Sequence, residues 1–239
     1  TAQGEEVALA NFYQYLDDTA ELSGRQRRRR ARTLLDSLRA IGEPAITALL
    51  RVLEERLDIR ERSSAARLLG ALQAPQALPA LQEVLETEGD LMLRRAAARG
   101  LSRLQLLESV PVLETVLADG QEDRFVRMSA AYGLAQMGET QGVSGLEQIF
   151  TESTEDGRGH YLAFRALRSI KSAQSVPLMR EVVTSEAEVM YRVGAIQFLA
   201  EHGDQDAVPM LQQVMASQDE QQSVREAAER ALVTITNGR

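Results

Sequence analysis

The sequence predicts an all-α protein: a right-handed α-solenoid of about six helix pairs with an N-terminal capping helix. Three observations predict it. The strings RSSAARLLG from Arg62, RRAAARGL from Arg94 and RMSAAYGL from Arg127 are versions of one line, and their first position continues through His160, Arg192 and Arg225 at steps of 32 or 33 residues. A second marker, Pro79, Pro111, Ser144, Pro177 and Pro209, keeps the same step. Two markers in phase at this period signal stacked supersecondary units, each contacting its neighbours. Third, hydrophobic residues make up 44% of the chain but aromatics only 4%. A core of Ala, Leu and Val at helical spacing suits closely stacked helices better than a sheet.

Taken in order, residues 5–22 carry Val7, Leu9, Phe12, Tyr13 and Leu16 in a helical pattern without the repeat line. This segment is expected to cover the open face of the first unit, so residues 1–24 read as a capping helix and residues 25–239 as one solenoid domain. Inside each unit the apolar spacing is that of two helices. Ala65, Leu68, Leu69 and Leu72 give a first helix, and Leu78, Leu81, Val84 and Leu85 give a second. Between them Pro75 resists helix continuation, while Pro79 sits in a first turn where its missing N–H costs nothing. The same grammar recurs with Val110, Leu113, Val116 and Leu117, with Val143, Leu146, Ile149 and Phe150, and with Val208, Leu211, Val214 and Met215. Gly42, Gly138 and Gly203 fall where first helices end, and glycine there supplies the left-handed cap. Residues 151–159, with Gly157 and Gly159, read as the longest break. At the far end Glu229 takes the position filled earlier by Ala66, Ala98, Ala131, Phe164 and Ile196. A carboxylate there fits a terminal helix with a wet outer face, and hence an array that ends within the chain.

The chain has no cysteine, which removes disulfides, thiolate zinc sites and cysteine nucleophiles and gives no redox pointer to a compartment. No apolar run is long enough to span a bilayer. Thr1 in place of Met fits a processed or trimmed N-terminus. The net charge of −8 argues against nucleic acid as the main ligand, since phosphate binding needs clustered cations.

The quoted repeat lines, together with VREAAERAL from Val224 and GDQDAVPML from Gly203, resemble HEAT repeats, in particular the short form found in phycobilisome lyases. The resemblance runs from about residue 30 to 235. It implies a superhelical array whose second helices line a concave surface, and it serves scaffolds, adaptors and a few enzymes alike. His160 in place of the repeated Arg, with Phe164 and Ala166, makes the fifth unit the most divergent.

Catalysis finds little support. His160 and His202 lack the spacing of a metal-binding helix pair. The HEAT-like deoxyhypusine hydroxylases rest on repeated His-Glu pairs, whereas here Glu201 precedes His202. The HEAT-like DNA glycosylases use a basic concave face and Trp, which is absent. No catalytic residue, metal ligand or cofactor is expected. The resemblance to bilin lyases keeps open one enzymatic alternative, a lyase-like subunit that handles a tetrapyrrole and its acceptor protein.

Charge points to a partner. Arginines gather on first helices: Arg25, Arg27, Arg28, Arg29, Arg30, Arg62, Arg67, Arg94, Arg95, Arg99, Arg103, Arg165 and Arg168. Second helices instead place Gln82 and Glu83, Glu114, Glu147 and Gln148, Arg180 and Glu181, and Gln212 between their core residues. By the resemblance these residues form a polar, acid-rich ridge on the concave face. The expected function is a noncatalytic scaffold or adaptor that binds a basic or polar protein segment there. The Arg62, Arg94, Arg127, Arg192 and Arg225 ladder reads as structural, paired with carboxylates of the adjacent unit. The arginine run starting at Arg25 reads either as a solvated helix start or as a contact for an acidic partner, nucleic acid or lipid head groups. Because Lys171 is the only lysine, arginine abundance itself reflects coding bias and does not mark recognition. Tyr161, Phe164, Tyr191 and Phe198 are expected in packing between units.

Overall fold

The computed structural model describes residues 1–18, 22–152 and 157–237. Among them are 14 α-helices and no strand. A lone helix, α1 (Ala2–Asp18), precedes six pairs. The pairs are α2 (Gly24–Ile41) with α3 (Glu43–Glu55), α4 (Ile59–Leu72) with α5 (Leu78–Thr87), α6 (Leu91–Leu104) with α7 (Val110–Ala118), α8 (Arg124–Gln136) with α9 (Thr140–Glu152), α10 (Gly157–Ile170) with α11 (Val176–Thr184), and α12 (Val189–Glu201) with α13 (Val208–Ala216). Helix α14 (Gln222–Asn237) follows as a first helix without a second. The chain forms two compact units, residues 1–142 and 143–239.

In the first unit α1 lies on α2 and α3 and buries Ala8 and Phe12. The sequence pattern put Val7 inward; it is 47% exposed, and Ala8 takes the buried place. One residue is a turn of 100°, which an unrepeated helix has no second copy to fix. First helices α4, α6 and α8 pack side by side, each on the second helix of the pair before it. Two glycines allow close approach: a Cβ on Gly70 would lie 2.5 Å from the Gly100 Cα, so α4 and α6 meet backbone to backbone. In the second unit α12 packs on α10, α11 and α14, and α13 on α14.

The second-helix leucines Leu81, Leu113, Leu146 and Leu211 are all fully buried, as their register requires, each burial contributing roughly 1.5–3 kcal/mol. Glu229 is exposed where its counterparts in earlier first helices are buried. Gly42, Gly138 and Gly203 have φ of 74°, 89° and 62°. Gly42, with ψ of −138°, lies outside the left-handed helical region, whereas Gln73, Gln105 and Lys171 end the other three first helices at φ of 54°, 53° and 55°. Of the break read over residues 151–159, residues 151–152 belong to α9 and 157–159 to α10, while 153–156 lie outside the described residues.

Candidate functional site

The second-helix residues separate into two repeat-related positions. In the first unit Gln82 on α5 and Glu114 on α7 are half-buried, and Glu83, next to Gln82, is exposed. In the second unit Glu147 and Arg180 are half-buried, and Gln148, Glu181 and Gln212 are exposed. Fully buried leucines immediately before Gln82 and Glu147 carry the packing. Glu114 accepts a hydrogen bond from Gln141 Nε2 at 3.3 Å. The Glu147 Oε1 atom is buried and accepts none.

Arg180 differs from its neighbours. Its Nε donates to Asp204 Oδ2 at 2.7 Å and its Nη2 reaches Asp206 Oδ2 at 3.1 Å. The Asp204 hydrogen bond holds the guanidinium above its already high ordinary value. Its charge is neutralised by the loop ahead of α13, so the second unit presents acids and amides on this layer.

Three arginines of the ladder are structural. Arg62 Nε donates to the Leu53 carbonyl at 2.8 Å, and its Nη1 donates to Glu88 at 2.8 Å. Arg94 joins the Leu85 carbonyl to Glu122, and Arg192 joins the Val183 carbonyl to Glu220. Each ties a first helix to the carbonyl end of the second helix before it, where a cation complements the helix dipole, and to the acidic loop ahead of the next first helix. His160 fills the same role, with Nδ1 2.8 Å from the Phe150 carbonyl. It also lies 4.0 Å from the Phe150 ring and 4.5 Å from the Tyr191 ring. Phe164, Tyr191 and Phe198 are buried, whereas Tyr161 is 39% exposed beneath Arg165. His202 stacks on Phe198 at 4.1 Å, with its Nε2 3.0 Å from the Lys171 carbonyl. Both histidines are thus engaged with backbone and rings. Among the described residues no group of three His, Cys, Asp or Glu side chains could hold a metal ion, and no helix is long and apolar enough to cross a membrane.

The run starting at Arg25 opens α2 behind a capping box of Ser23 and Gln26. Arg27 Nε donates to the Leu22 carbonyl and Arg30 pairs with Asp18 at 3.0 Å, while Arg25, Arg28, Arg29 and Arg32 are exposed. One grouping was missed in the sequence: Arg67 on α4 with Arg99 and Arg103 on α6. The 32-residue step between Arg67 and Arg99 was the available signal, but the glycine contact that draws the helices together was not legible.

A family model described as HEAT repeats matches residues 46–135, 94–162 and 152–233. No curated protein matches the chain by sequence. Among solved structures, human deoxyhypusine hydroxylase in complex with glycerol is similar at 20% identity and a TM-score of 0.42, over 98% of this chain and 86% of that one. The complex of CpcE and CpcF of phycocyanin lyase from Nostoc sp. PCC7120 is similar at 19% identity and a TM-score of 0.42, over 98% of this chain and 94% of that one.

Proposed function

The chain belongs to the HEAT-repeat family, and on that premise we propose that it is a noncatalytic interaction scaffold that takes a basic or polar partner segment along its second helices. One observation carries this reading: polar, mostly acidic or amide side chains recur at two adjacent repeat positions while neighbouring leucines do the packing. Helices α5 and α7 carry Glu83, Glu86 and Glu114 and no basic residue. An extended segment with Lys or Arg at matching intervals would find carboxylates and amides in register, gaining specificity and association rate from complementary charge.

The test is a titration of a labelled Lys-rich peptide by fluorescence anisotropy. Glu83→Lys with Glu114→Lys should weaken binding about tenfold or more at low salt, the wild-type affinity falling as salt screens charges beyond about 8–10 Å. Glu108→Lys with Glu186→Lys, exposed acids outside the second helices, should change little, and far-UV dichroism should show both doubles folded. Equal binding by the wild type and the Glu83/Glu114 double would refute the reading. Co-elution with a bilin and a shift of its visible absorbance would replace it with a lyase-like role.

A further inference from the structure

We infer that the first-helix layer of the first unit carries a second docking surface, one for an acidic peptide segment, centred on Arg67, Arg99 and Arg103 and flanked by Tyr15 and Tyr132. Arg67 lies one turn before Gly70, and Arg99 and Arg103 bracket Gly100, the two residues at which α4 and α6 touch. Three guanidinium groups are thereby gathered at one seam. Elsewhere the half-buried arginines between helices are often matched with carboxylates: Arg62 with Glu88, Arg94 with Glu122, Arg95 with Asp123, and Arg192 with Glu220. At this seam no carboxylate among the described residues pairs with Arg67, Arg99 or Arg103, and Arg67 donates only to the neutral Ser64 Oγ at 2.9 Å.

The arrangement works against folding. Burial holds the Arg67 guanidinium below its ordinary value, and the charge of Arg99 lowers it further against the opposing effect of Tyr15. Partial desolvation does the same at Arg103, whose side chain still reaches solvent, again with Arg99 adding to it. The repeat does not demand arginine here, since the position of Arg67 and Arg99 is held by Leu35 in α2 and Tyr132 in α8. Unneutralised cations that the fold does not need are matched by an external anion. Guanidinium forks take carboxylates in bidentate pairs and lie well against aromatic rings.

The charge around the seam selects the class of partner. Helix α6 carries four arginines and no acid, and α2 carries seven arginines against Asp36, whereas α5 and α7 carry no base. A short acidic segment meets only the cationic layer. A long polyanion or a membrane surface would also meet the rest of a chain whose net charge is −8.

The experiment uses the full chain and a short labelled peptide of alternating Glu and Gly, read by anisotropy at low and physiological salt. We expect the wild type to bind, and Arg99→Glu with Arg103→Glu, both exposed positions, to weaken binding about tenfold or more. Arg165→Glu with Arg230→Glu, at the Arg99 repeat position on α10 and α14, should stay within about twofold of wild type. Arg99→Gln should melt at or above the wild-type temperature, because it removes repulsion and no salt bridge. Several outcomes would overturn the inference: peptide binding indifferent to the Arg99/Arg103 reversal; a single-stranded RNA or a phosphatidylserine vesicle bound through these arginines when the peptide is not; or self-association lost in the double, which would assign the seam to a second copy. The probe and the helices differ from those of the second-helix test, so failure of one reading leaves the other standing.

Discussion

Replacing Gly70 with Ala tests the central contact of the first unit, because local and tertiary physics disagree there about the sign. Gly70 lies inside α4 and is buried. By helix propensity alone, Ala should stabilise by about 1 kcal/mol. The added Cβ, however, would stand 2.5 Å from the Gly100 Cα, 2.6 Å from its carbonyl oxygen and 2.9 Å from its carbonyl carbon. Carbon atoms in contact settle at about 3.5–4.0 Å. The atoms in the way are backbone in the middle of α6, so relief requires the two helices to separate. That movement loosens Leu69, Ala97 and Leu101, all fully buried, and overpacking of this kind costs about 1–3 kcal/mol and sometimes more. We expect the tertiary cost to win, leaving Gly70→Ala about 1–2 kcal/mol less stable than wild type after the propensity gain is credited. Guanidinium unfolding followed by far-UV circular dichroism measures it. Gly89→Ala is the control, since a Cβ there meets nothing within 4 Å, and should fall within about 0.5 kcal/mol. If Gly70→Ala proved as stable as the wild type, α4 and α6 would not touch here, and the gathering of Arg67 with Arg99 and Arg103 would lose its cause.

The left-handed turn at Gln105 (φ 53°) predicts that Gln105→Gly raises the unfolding midpoint by about 0.5–1 kcal/mol equivalent: relief of a strain worth roughly 1–2 kcal/mol exceeds the added freedom of the unfolded chain. A destabilised Gln105→Gly would contradict that turn. Acid sensitivity follows from Glu220, whose carboxyl the Arg192 hydrogen bond holds below the usual carboxylate range, opposed by burial and aided by the Gln221 N–H. A depressed folded value means the stabilisation is present above the unfolded value of about 4.3 and is lost as pH falls through the folded one. Glu220→Gln should therefore cost about 1–3 kcal/mol near neutral pH and show a shallower loss of stability on acidification than wild type; parallel acid profiles would refute the assignment.

What repeats and what is local in this chain are legible along its residues alone. The 32- or 33-residue phase set the helix pairs, and apolar spacing placed Leu81, Leu113, Leu146 and Leu211 in the core. Glycine marked Gly42, Gly138 and Gly203 as helix ends, because positive φ is steric and local. The ladder was legible because periodic arginines beside acidic loops have few other uses. Gln73, Gln105 and Lys171 also take positive φ, yet nothing in their side chains announces it. There the backbone conformation is imposed by the docking of the next helix. Val7 and Ala8 exchanged places because α1 has no repeat to fix its rotation. The pairing of Arg180 with Asp204 and Asp206, 24 and 26 residues on, is likewise invisible in the repeat. The seam of Arg67, Arg99 and Arg103 exists only because two glycines let α4 and α6 close. Periodicity assigns a residue to a face of its helix; how deeply that face is pressed against another, and which charges meet there, is set by packing between helices far apart in the chain.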